Sequence, residues 1–350
     1  MELDEIRREI DEIDYHILNL LRRRMILSIK AGRAKKIIED KEREAHIFQK
    51  MNDRSDLLLR SEFLEGLYRS IIAESKRLQG EEPILAAFHG ERGTYAEVAC
   101  RKFDAGIVPV PCKDLAEVFE GVANGEFDMG VVPIESSFDG VIATVIQLLT
   151  EGDLSIVGEV TLHTTYSLLS HRNISLEDVK IVYSDPQVLG QCRHFIARNG
   201  FESRPLYDSA AAAMMIALEK PAAAAAIASV ACSGIYELKV LKDGVEDSER
   251  SYTRFIVLSK GILRAGGDKC SITFSAASWS DSLAEILRVF SDEGIEAKLI
   301  GQIPSDHSGA ESKFLLDFRG HLSDEKVQRA LRKIKVRVGH FRLLGCYRGW

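Results

Sequence analysis

The chain has 350 residues, which is enough for two or three domains. Its apolar content of 45% and charged content of 28% are ordinary for a globular protein. A formal net charge of −7 argues against a nucleic-acid or membrane-surface partner, so an anionic ligand requires a local basic pocket. The longest nearly apolar run, 222–231, is too short to cross a bilayer.

Cysteine usage and the N-terminal segment indicate the compartment. The six cysteines are widely scattered and form no CxxC pair. The N-terminal segment has the pattern of a charged amphipathic helix, which differs from that of a secretory signal peptide. We therefore expect free thiols in a reducing, cytoplasmic environment. The histidines and cysteines lack the spacing of metal ligands, so we expect neither a metal nor a cofactor.

Residues 1–80 contain almost no glycine or proline and predict an all-helical module. Its helices are predicted at about 3–38, 41–52 and 56–79. Apolar residues in the first helix recur at the three- and four-residue spacing of a helix that lies along partner helices. Arg24 occupies an apolar position of this pattern, and Lys35 lies about three turns later on nearly the same face. Two cations facing the interior indicate an anionic ligand, unless Arg24 extends outward to solvent.

A third cation, Arg7, precedes Arg24 by seventeen residues, or about 25 Å along a helix axis. It can reach the same pocket only if a second chain runs antiparallel and supplies it. Further polar residues share helix faces at spacings of three or four residues. They are Asp40, Arg43 and Glu44 on the second helix, and Ser75 and Gln79 on the third. Each alone is typical of a solvated surface, whereas the whole set indicates a binding site.

This set resembles the all-helical chorismate mutase family over residues 1–80. The matching motifs are IRxxIxxID from Ile6 to Asp14, LLxxR ending at Arg24, GxxK ending at Lys35, Arg43-Glu44, and SxxxQ from Ser75 to Gln79. Members of this family form intertwined dimers, so the resemblance implies a second chain that supplies Arg7.

The resemblance implies how a substrate is bound. Arg24 and the partner's Arg7 would bind the two carboxylates of chorismate, with Ser75 assisting. The reaction is a unimolecular Claisen rearrangement, which requires no nucleophile and no proton shuttle. The protein needs only to hold the folded substrate and to stabilise the negative charge that develops on the ether oxygen.

The same resemblance implies that Lys35 and Gln79 are catalytic, because they would donate hydrogen bonds to the ether oxygen. Asp40 and Glu44 would lie near the ring hydroxyl, and Arg43 would complete the substrate-binding set. The connection between Lys35 and Asp40 is shorter than is usual in the family by about one helical turn. This departure affects the role of Asp40 most.

After a break at 80–83, short apolar strands alternate with helical segments, which is typical of an α/β domain. The predicted strands are 84–88, 129–134, 155–160, 167–170, 181–184, 224–228 and 255–258. Four stretches at strand or helix ends carry candidate ligand-binding residues, since α/β domains bind ligands there. They are the turn before Thr94, the strand end with Glu135 and Ser136, the helix start 185–192 with Gln191, and the segment with Thr253 and Arg254. Singly, each is typical of capping and turn chemistry.

Together the four stretches resemble prephenate dehydratase over 83–261, through the motifs GxxGTY, VVPIE, PQ followed by QC, and TRF. That family has two α/β lobes that close over a cleft in the manner of periplasmic binding proteins. Its reaction couples loss of CO₂ to departure of the ring hydroxyl, so the main task is to protonate or hydrogen-bond that hydroxyl. The resemblance implies Thr253 as the catalytic hydroxyl and Arg254 as a carboxylate anchor. Residues implied to line the cleft are Thr94, Glu135, Ser136 and Gln191.

The chain departs from the dehydratase pattern at three places. Ser136 and Asp185 stand where the family has asparagine and histidine, and 249–251 replace asparagines. Asp185 adds a negative charge near the site of a dianion, so we expect a slower dehydratase. The alternatives are a decarboxylase that retains the hydroxyl of prephenate, or a catalytically silent ligand-sensing module. Retention of Thr253 argues against both.

The C-terminal residues predict an α+β ferredoxin-like unit, in the order strand–helix–strand–strand–helix–strand. These elements are predicted at about 270–277, 281–293, 296–303, 312–318, 323–335 and 338–347. The pattern resembles the ACT domain, through which phenylalanine inhibits such enzymes. Segments 279–283 and 301–304 differ from the family's ligand motifs, RPGAL and ESRP. We expect this domain to dimerise through its sheet, with weak or absent phenylalanine inhibition.

The sequence thus predicts a bifunctional enzyme with three domains, at 1–80, 83–261 and 269–350. Its substrates would be chorismate and prephenate. Its assembly would be a homodimer or a higher homo-oligomer, because the first site requires Arg7 from a second chain.

Overall fold

A computed structural model describes residues 3–35, 38–248, 250–261, 266–276, 279–303 and 312–349. The chain divides into two compact units, Met1–Ile84 and Leu85–Trp350. The first unit is all-helical. The second contains three sheets. No helix within the described ranges is both long and apolar enough to cross a membrane.

The helical unit consists of α1 (Leu3–Ala34), α2 (Lys41–Asn52) and α3 (Ser61–Glu81). The first helix is shorter than the predicted span to residue 38. Its end is marked by the Lys35 backbone N–H, which bonds the Gly32 carbonyl three residues back at 3.2 Å, a tighter turn than the α-helical pattern. Asp40 begins α2 because its carboxylate accepts the Arg43 backbone N–H at 2.9 Å, an N-cap. Lys35 and Asp40 therefore lie on the connection between α1 and α2.

A row of large apolar side chains on α1 is exposed in the single chain. Ile10, Ile13, Ile17 and Leu20 are between 48% and 64% accessible. Among the described residues of this unit, the buried apolar side chains are Ile29, Leu64 and Ile72. An exposed apolar row of this length is typical of a surface that contacts another protein.

The second unit begins with a lobe built on a six-stranded sheet in the order β2-β1-β3-β11-β5, with β4 paired to β3. Its strands are β1 (Leu85–His89), β2 (Val108–Cys112), β3 (Met129–Ser136), β4 (Gly140–Val141), β5 (Leu154–His163) and β11 (Tyr252–Lys260). Its helices are α4 (Tyr95–Phe103), α5 (Leu115–Ala123) and α6 (Ala143–Glu151). The chain leaves this lobe after β5 and returns to it as β11, and these two strands pair with each other.

The excursion forms a second lobe, whose sheet has the order β10-β6-β9-β7-β8. Its strands are β6 (Ser167–Ser170), β7 (Ile181–Ser184), β8 (Glu202–Pro205), β9 (Ala224–Ala228) and β10 (Lys239–Asp243). Its helices are α7 (Pro186–Gln191), α8 (Arg193–Asn199), α9 (Ser209–Glu219) and α10 (Ala231–Ile235). Strands β2, β4, β8 and β10 lack a clear strand pattern in the sequence and were not predicted, because they contain proline, are very short, or lie exposed with charged residues.

The last sheet has the order β13-β14-β12-β15 with antiparallel neighbours, the arrangement of a ferredoxin-like unit. Its elements are β12 (Lys269–Ala276), α11 (Trp279–Asp292), β13 (Ala297–Ile303), β14 (Ser312–Arg319), α12 (Glu325–Lys335) and β15 (Phe341–Tyr347). One face of this sheet contacts the first lobe, where the Arg342 side chain donates a hydrogen bond to the Leu149 carbonyl at 2.7 Å. The predicted ligand motifs fall largely outside the described residues: 304 is not described, nor are the side chains of 279–281.

The expectation that all cysteines are free is wrong for one pair. Cys270 on β12 and Cys346 on β15 lie opposite each other and form a disulfide. They are 76 positions apart in sequence, so spacing alone could not show that their strands are neighbours. The other four are free and buried: Cys100, Cys112, Cys192 and Cys232.

Candidate active sites

The first candidate site lies between α1 and α3, where Arg24 meets Ser75. The Arg24 Nη1 donates to the Ser75 Oγ at 2.6 Å, and this hydroxyl donates to the Ile71 carbonyl at 2.8 Å. Ser75 is only 6% exposed, while Arg24 is half-buried. The guanidinium is thus held against α3 and does not extend outward to solvent. Its remaining N–H groups are suited to a planar carboxylate.

Gln79 lies one turn after Ser75 and packs against Gly32 of α1. A Cβ added to Gly32 would lie 2.7 Å from the Gln79 Cγ, so only glycine allows this approach. The Gln79 Oε1 is buried and has no hydrogen-bond partner in the described part of the chain. A buried amide atom without a partner is unfavourable, and a bound ligand would supply the missing interaction.

The other predicted residues of this site form ion pairs or lie exposed. The Lys35 Nζ is 3.4 Å from the Asp40 Oδ2. The hydrogen bond from the Arg43 backbone, helped by Lys35, lowers the pKa of the Asp40 carboxyl. Glu44 pairs with Lys76 at 2.8 Å, a partner that the sequence analysis did not identify. The Arg7 and Arg43 side chains are exposed.

We expect Gly32→Ala to lower mutase kcat/KM by at least about tenfold, because the added methyl group displaces Gln79. Steady-state kinetics with chorismate measures this. The control is Gly66→Ala on α3, where no atom lies within 4 Å of the added carbon. It should keep full activity and stabilise the helix by up to about 1 kcal/mol. Full mutase activity in Gly32→Ala would exclude a role for Gln79 in catalysis.

The second candidate site centres on Thr253 at the start of β11. Thr253 lies opposite Ser136 on β3 and Leu162 on β5. Leu162 and Phe255 belong to the core beneath α4, so the pleat of the strand places Thr253 on this same face. The Ser136 Oγ bonds to the Asp139 carboxylate at 3.0 Å and accepts the Asp139 N–H.

Glu135 and Arg254 lie on the opposite face of the sheet from Thr253. The two residues face each other across β3 and β11, with the Glu135 Oε2 at 3.3 Å from the Arg254 Nε. The Tyr252 hydroxyl donates to the other Glu135 oxygen at 2.9 Å. The residues predicted to share one site are therefore divided between two faces of one sheet. The roles predicted for Glu135 and Arg254 stay predictions.

The turn that precedes α4 reaches the second lobe. Gly90 and Gly93 have φ angles of 107° and 92°, which favour glycine. The Arg92 carbonyl accepts a hydrogen bond from the Tyr236 hydroxyl at 2.8 Å. The Thr94 Oγ1 at the end of this turn is buried and has no hydrogen-bond partner among the described residues. An unsatisfied hydroxyl therefore lies on the first lobe, at the turn that contacts the second lobe.

Asp185 begins α7 in the second lobe and caps its first turn, accepting N–H groups from Gln187 at 2.9 Å and Val188 at 3.1 Å. Burial raises the pKa of the Asp185 carboxyl, and the charge of Asp208 adds to this effect. Gln191 lies at the other end of α7 and accepts the Asp247 N–H on its backbone carbonyl.

We expect Asp185→Asn to lower the KM for prephenate by about threefold to tenfold at pH 8, because it removes a like charge and keeps the cap. The gain should fade as the pH falls through the raised pKa of Asp185, since the wild-type carboxyl then becomes neutral as well. Dehydratase kinetics across pH measures both effects. The exposed Asp178→Asn is the control, and an unchanged KM in Asp185→Asn would show that this carboxylate does not act on the substrate.

Several polar residues near these sites were not identified from sequence. They are Lys76, Glu159, Tyr252, Lys269 and Asp317. A usable signal existed for two of them, because Glu159 and Asp317 are the only charged residues in the strand segments 154–162 and 314–318. A lone charge in such a strand indicates a buried partner. In the described part of the chain, no group of three or more metal-ligating side chains is arranged to hold an ion.

The fold and the two sites define a fusion of an all-helical anion-binding module with a two-lobed α/β enzyme. Two families match the chain: chorismate mutase type II over residues 6–80 and prephenate dehydratase over residues 86–262. A bifunctional chorismate mutase/prephenate dehydratase from Aquifex aeolicus is 34% identical over 357 residues, covering 99% of this chain and 98% of that protein. The chain belongs to the family of bifunctional chorismate mutase/prephenate dehydratases.

Two solved structures are similar to the second unit. Prephenate dehydratase from Arthrobacter aurescens, in complex with L-Phe, is 28% identical with a TM-score of 0.69, covering 76% of this chain and 90% of that one. A protein described as a quorum-quenching acylase is 26% identical, also with a TM-score of 0.69, covering 76% of this chain and 98% of that one. The whole-length match to the Aquifex protein adds the mutase module that these comparisons do not cover.

Proposed function

We propose residue roles for the two reactions of this enzyme of phenylalanine biosynthesis. The first converts chorismate to prephenate, and the second converts prephenate to phenylpyruvate with loss of CO₂ and water. Two buried side-chain oxygens that have no hydrogen-bond partner among the described residues carry the proposal, the Gln79 Oε1 and the Thr94 Oγ1. Gln79 follows Ser75, the residue that binds Arg24, by one helical turn, and Thr94 lies in the lobe that presents Thr253.

In the mutase site, Arg24 and the partner's Arg7 bind the carboxylates of chorismate. Ser75 supports this arrangement because it fixes one nitrogen of Arg24. Gln79 and Lys35 donate hydrogen bonds to the ether oxygen as its bond to the ring breaks. These preorganised donors stabilise the developing negative charge, and no covalent intermediate is required.

The remaining mutase residues set the position of Lys35 and the ring. Asp40 holds the Lys35 ammonium at 3.4 Å, and Arg43 fixes Asp40 through its backbone N–H. Glu44, held by Lys76, lies on the same helix and faces the ring hydroxyl. A bound substrate draws Lys35 away from Asp40 toward the ether oxygen.

In the dehydratase site, the Thr253 hydroxyl donates to the leaving ring hydroxyl. The electron pair of the bond to the departing CO₂ enters the ring, the C–O bond to the ring hydroxyl breaks, and the ring becomes aromatic. The departing hydroxide is stabilised by the Thr253 hydrogen bond and takes a proton from solvent to become water. Thr94, Ser136 and Gln191 bind the substrate in the cleft. Glu135 contributes from the other sheet face by holding Tyr252 next to Thr253.

We expect Thr253→Val, which keeps the shape of the side chain and removes its hydroxyl, to lower phenylpyruvate formation by about a hundredfold or more. Thr253→Ser should retain most of the activity. Product analysis at neutral pH, with acidified samples to convert accumulated prephenate, measures this. The mutase activity of each variant is the control for folding. A Thr253→Val enzyme that still makes phenylpyruvate at the wild-type rate would contradict the proposal.

The same assay separates the two alternatives. A prephenate decarboxylase yields a product that keeps the hydroxyl, and a silent sensor lets prephenate accumulate. Neither forms phenylpyruvate at neutral pH.

We also propose that two chains assemble through the exposed apolar row of α1. The row is 48–64% accessible at four successive positions, and Arg7 lies about 25 Å from Arg24 along that helix. A second, antiparallel copy covers the row and brings its Arg7 to the pocket. Both features are explained by one contact.

This assembly predicts complementation between inactive variants. Arg7→Ala and Arg24→Ala should each lose mutase activity, whereas a mixture refolded together should regain about a quarter of it. The reason is that half of the chains form mixed dimers, and each mixed dimer contains one intact site and one doubly altered site. Chorismate kinetics on the mixture measures this. No recovery in dimers shown to be mixed would exclude a shared site.

We further propose that the ferredoxin-like unit is an ACT domain that dimerises through its sheet. Its strand order supports this assignment. Weak phenylalanine inhibition and a cytoplasmic location stay predictions.

A further inference from the structure

A cluster of buried charges lies on the face of β11 opposite Thr253. Arg254 is at its centre and is only 6% exposed. Its Nη1 lies 2.5 Å from the Asp317 Oδ2 and 3.3 Å from the Glu159 Oε2, while its Nε faces Glu135. Although burial disfavours the charge, Asp317 and Glu159 raise the pKa of Arg254, so the guanidinium stays protonated.

The cluster joins the dehydratase lobe to the ferredoxin-like unit. Asp317 is on β14, and Lys269 on β12 pairs with Glu159 at 2.6 Å and with Asp317 at 3.5 Å. Asp317 is held from its own sheet by the Ser271 hydroxyl at 2.6 Å. A buried ion pair is weak evidence for stability, because desolvation offsets much of the attraction, but it fixes geometry. The geometry fixed here is that of the residue next to Thr253.

The cluster also lies where the chain returns from the second lobe. The two segments that connect the lobes pair with each other, as the Thr164 N–H donates to the Ser251 carbonyl at 2.9 Å. Thr253 lies two residues after Ser251, so the strand that carries it begins where the two connecting segments pair. An anchor at Arg254 therefore resists displacement of Thr253.

We propose that Arg254 and Asp317 are positioning residues for the dehydratase, through which the ferredoxin-like unit holds Thr253 in its reactive position. The inference rests on the proposed role of Thr253. It also gives Arg254 a role different from the predicted carboxylate anchor, since three protein carboxylates already lie within 3.3 Å of its nitrogen atoms.

The test is Asp317→Asn in the full chain. This change keeps the shape and an oxygen for Ser271, but removes the charge that holds Arg254. We expect the dehydratase kcat to fall by about tenfold to a hundredfold, the size of effect that small misplacement of a reacting group causes. The KM for prephenate should change by less than about twofold, because no substrate contact is lost. Mutase kinetics should be unchanged.

Three further variants separate positioning from loss of structure. The double variant Arg254→Met with Asp317→Leu should have about the same kcat as Arg254→Met alone, because residues that act as one unit are not additive. Arg342→Met is the matched control, since Arg342 also joins the ferredoxin-like unit to this lobe but near the far end of β11, where Leu154 pairs with Lys260. It should keep the wild-type kcat.

The outcomes are distinct. An unchanged kcat in Asp317→Asn overturns the inference, while a strong effect of Thr253→Val in the same assay leaves the proposed function intact. No effect of Thr253→Val overturns the proposed function itself. If Arg342→Met lowers kcat as much as Asp317→Asn, or if Asp317→Asn raises KM and spares kcat, docking or substrate binding explains the result, and the positioning role is rejected.

Discussion

A guanidinium held inside a protein must be paired, and this constraint organises both units of the chain. Arg24 is half-buried between two helices, and the described residues give it a serine hydroxyl and no carboxylate. Arg254 is buried more deeply and faces three carboxylates. Arg24 thus leaves its charge to be paired by a ligand, whereas Arg254 is paired within the protein.

The difference in pairing accounts for the difference in role. Positive charge that the protein leaves unbalanced at Arg24 is available to an anion, which suits a reaction whose catalyst needs only donors and a fixed substrate shape. Charge that the protein balances at Arg254 has no such capacity, and its effect is to hold β11 in place. The acidic overall composition does not prevent the binding of dianions, because binding depends on the local arrangement.

Function in the second unit depends on the pleat of one strand. Thr253 faces the core side beneath α4, while its neighbours Tyr252 and Arg254 are on the other sheet face, where Arg254 contacts the ferredoxin-like unit. With the proposed role of Thr253, successive residues of one short motif serve the reaction and the domain contact. This arrangement links chemistry in the cleft to a sheet that is distant in sequence, without any additional element.

The sequence by itself determined the helical module, the alternating α/β pattern, the ferredoxin-like order of elements and the residues that carry the family motifs. These properties depend on local periodicity and residue type, as in the apolar spacing of the helix around Arg24 and the apolar strand that contains Thr253. Only the tertiary structure decided that Glu135 and Arg254 lie on the other sheet face from Thr253, that Asp317 reaches Arg254, and that Cys270 meets Cys346. Each of these depends on which strands are neighbours and on their register. Pairing between residues far apart in the chain leaves no periodic trace in the sequence.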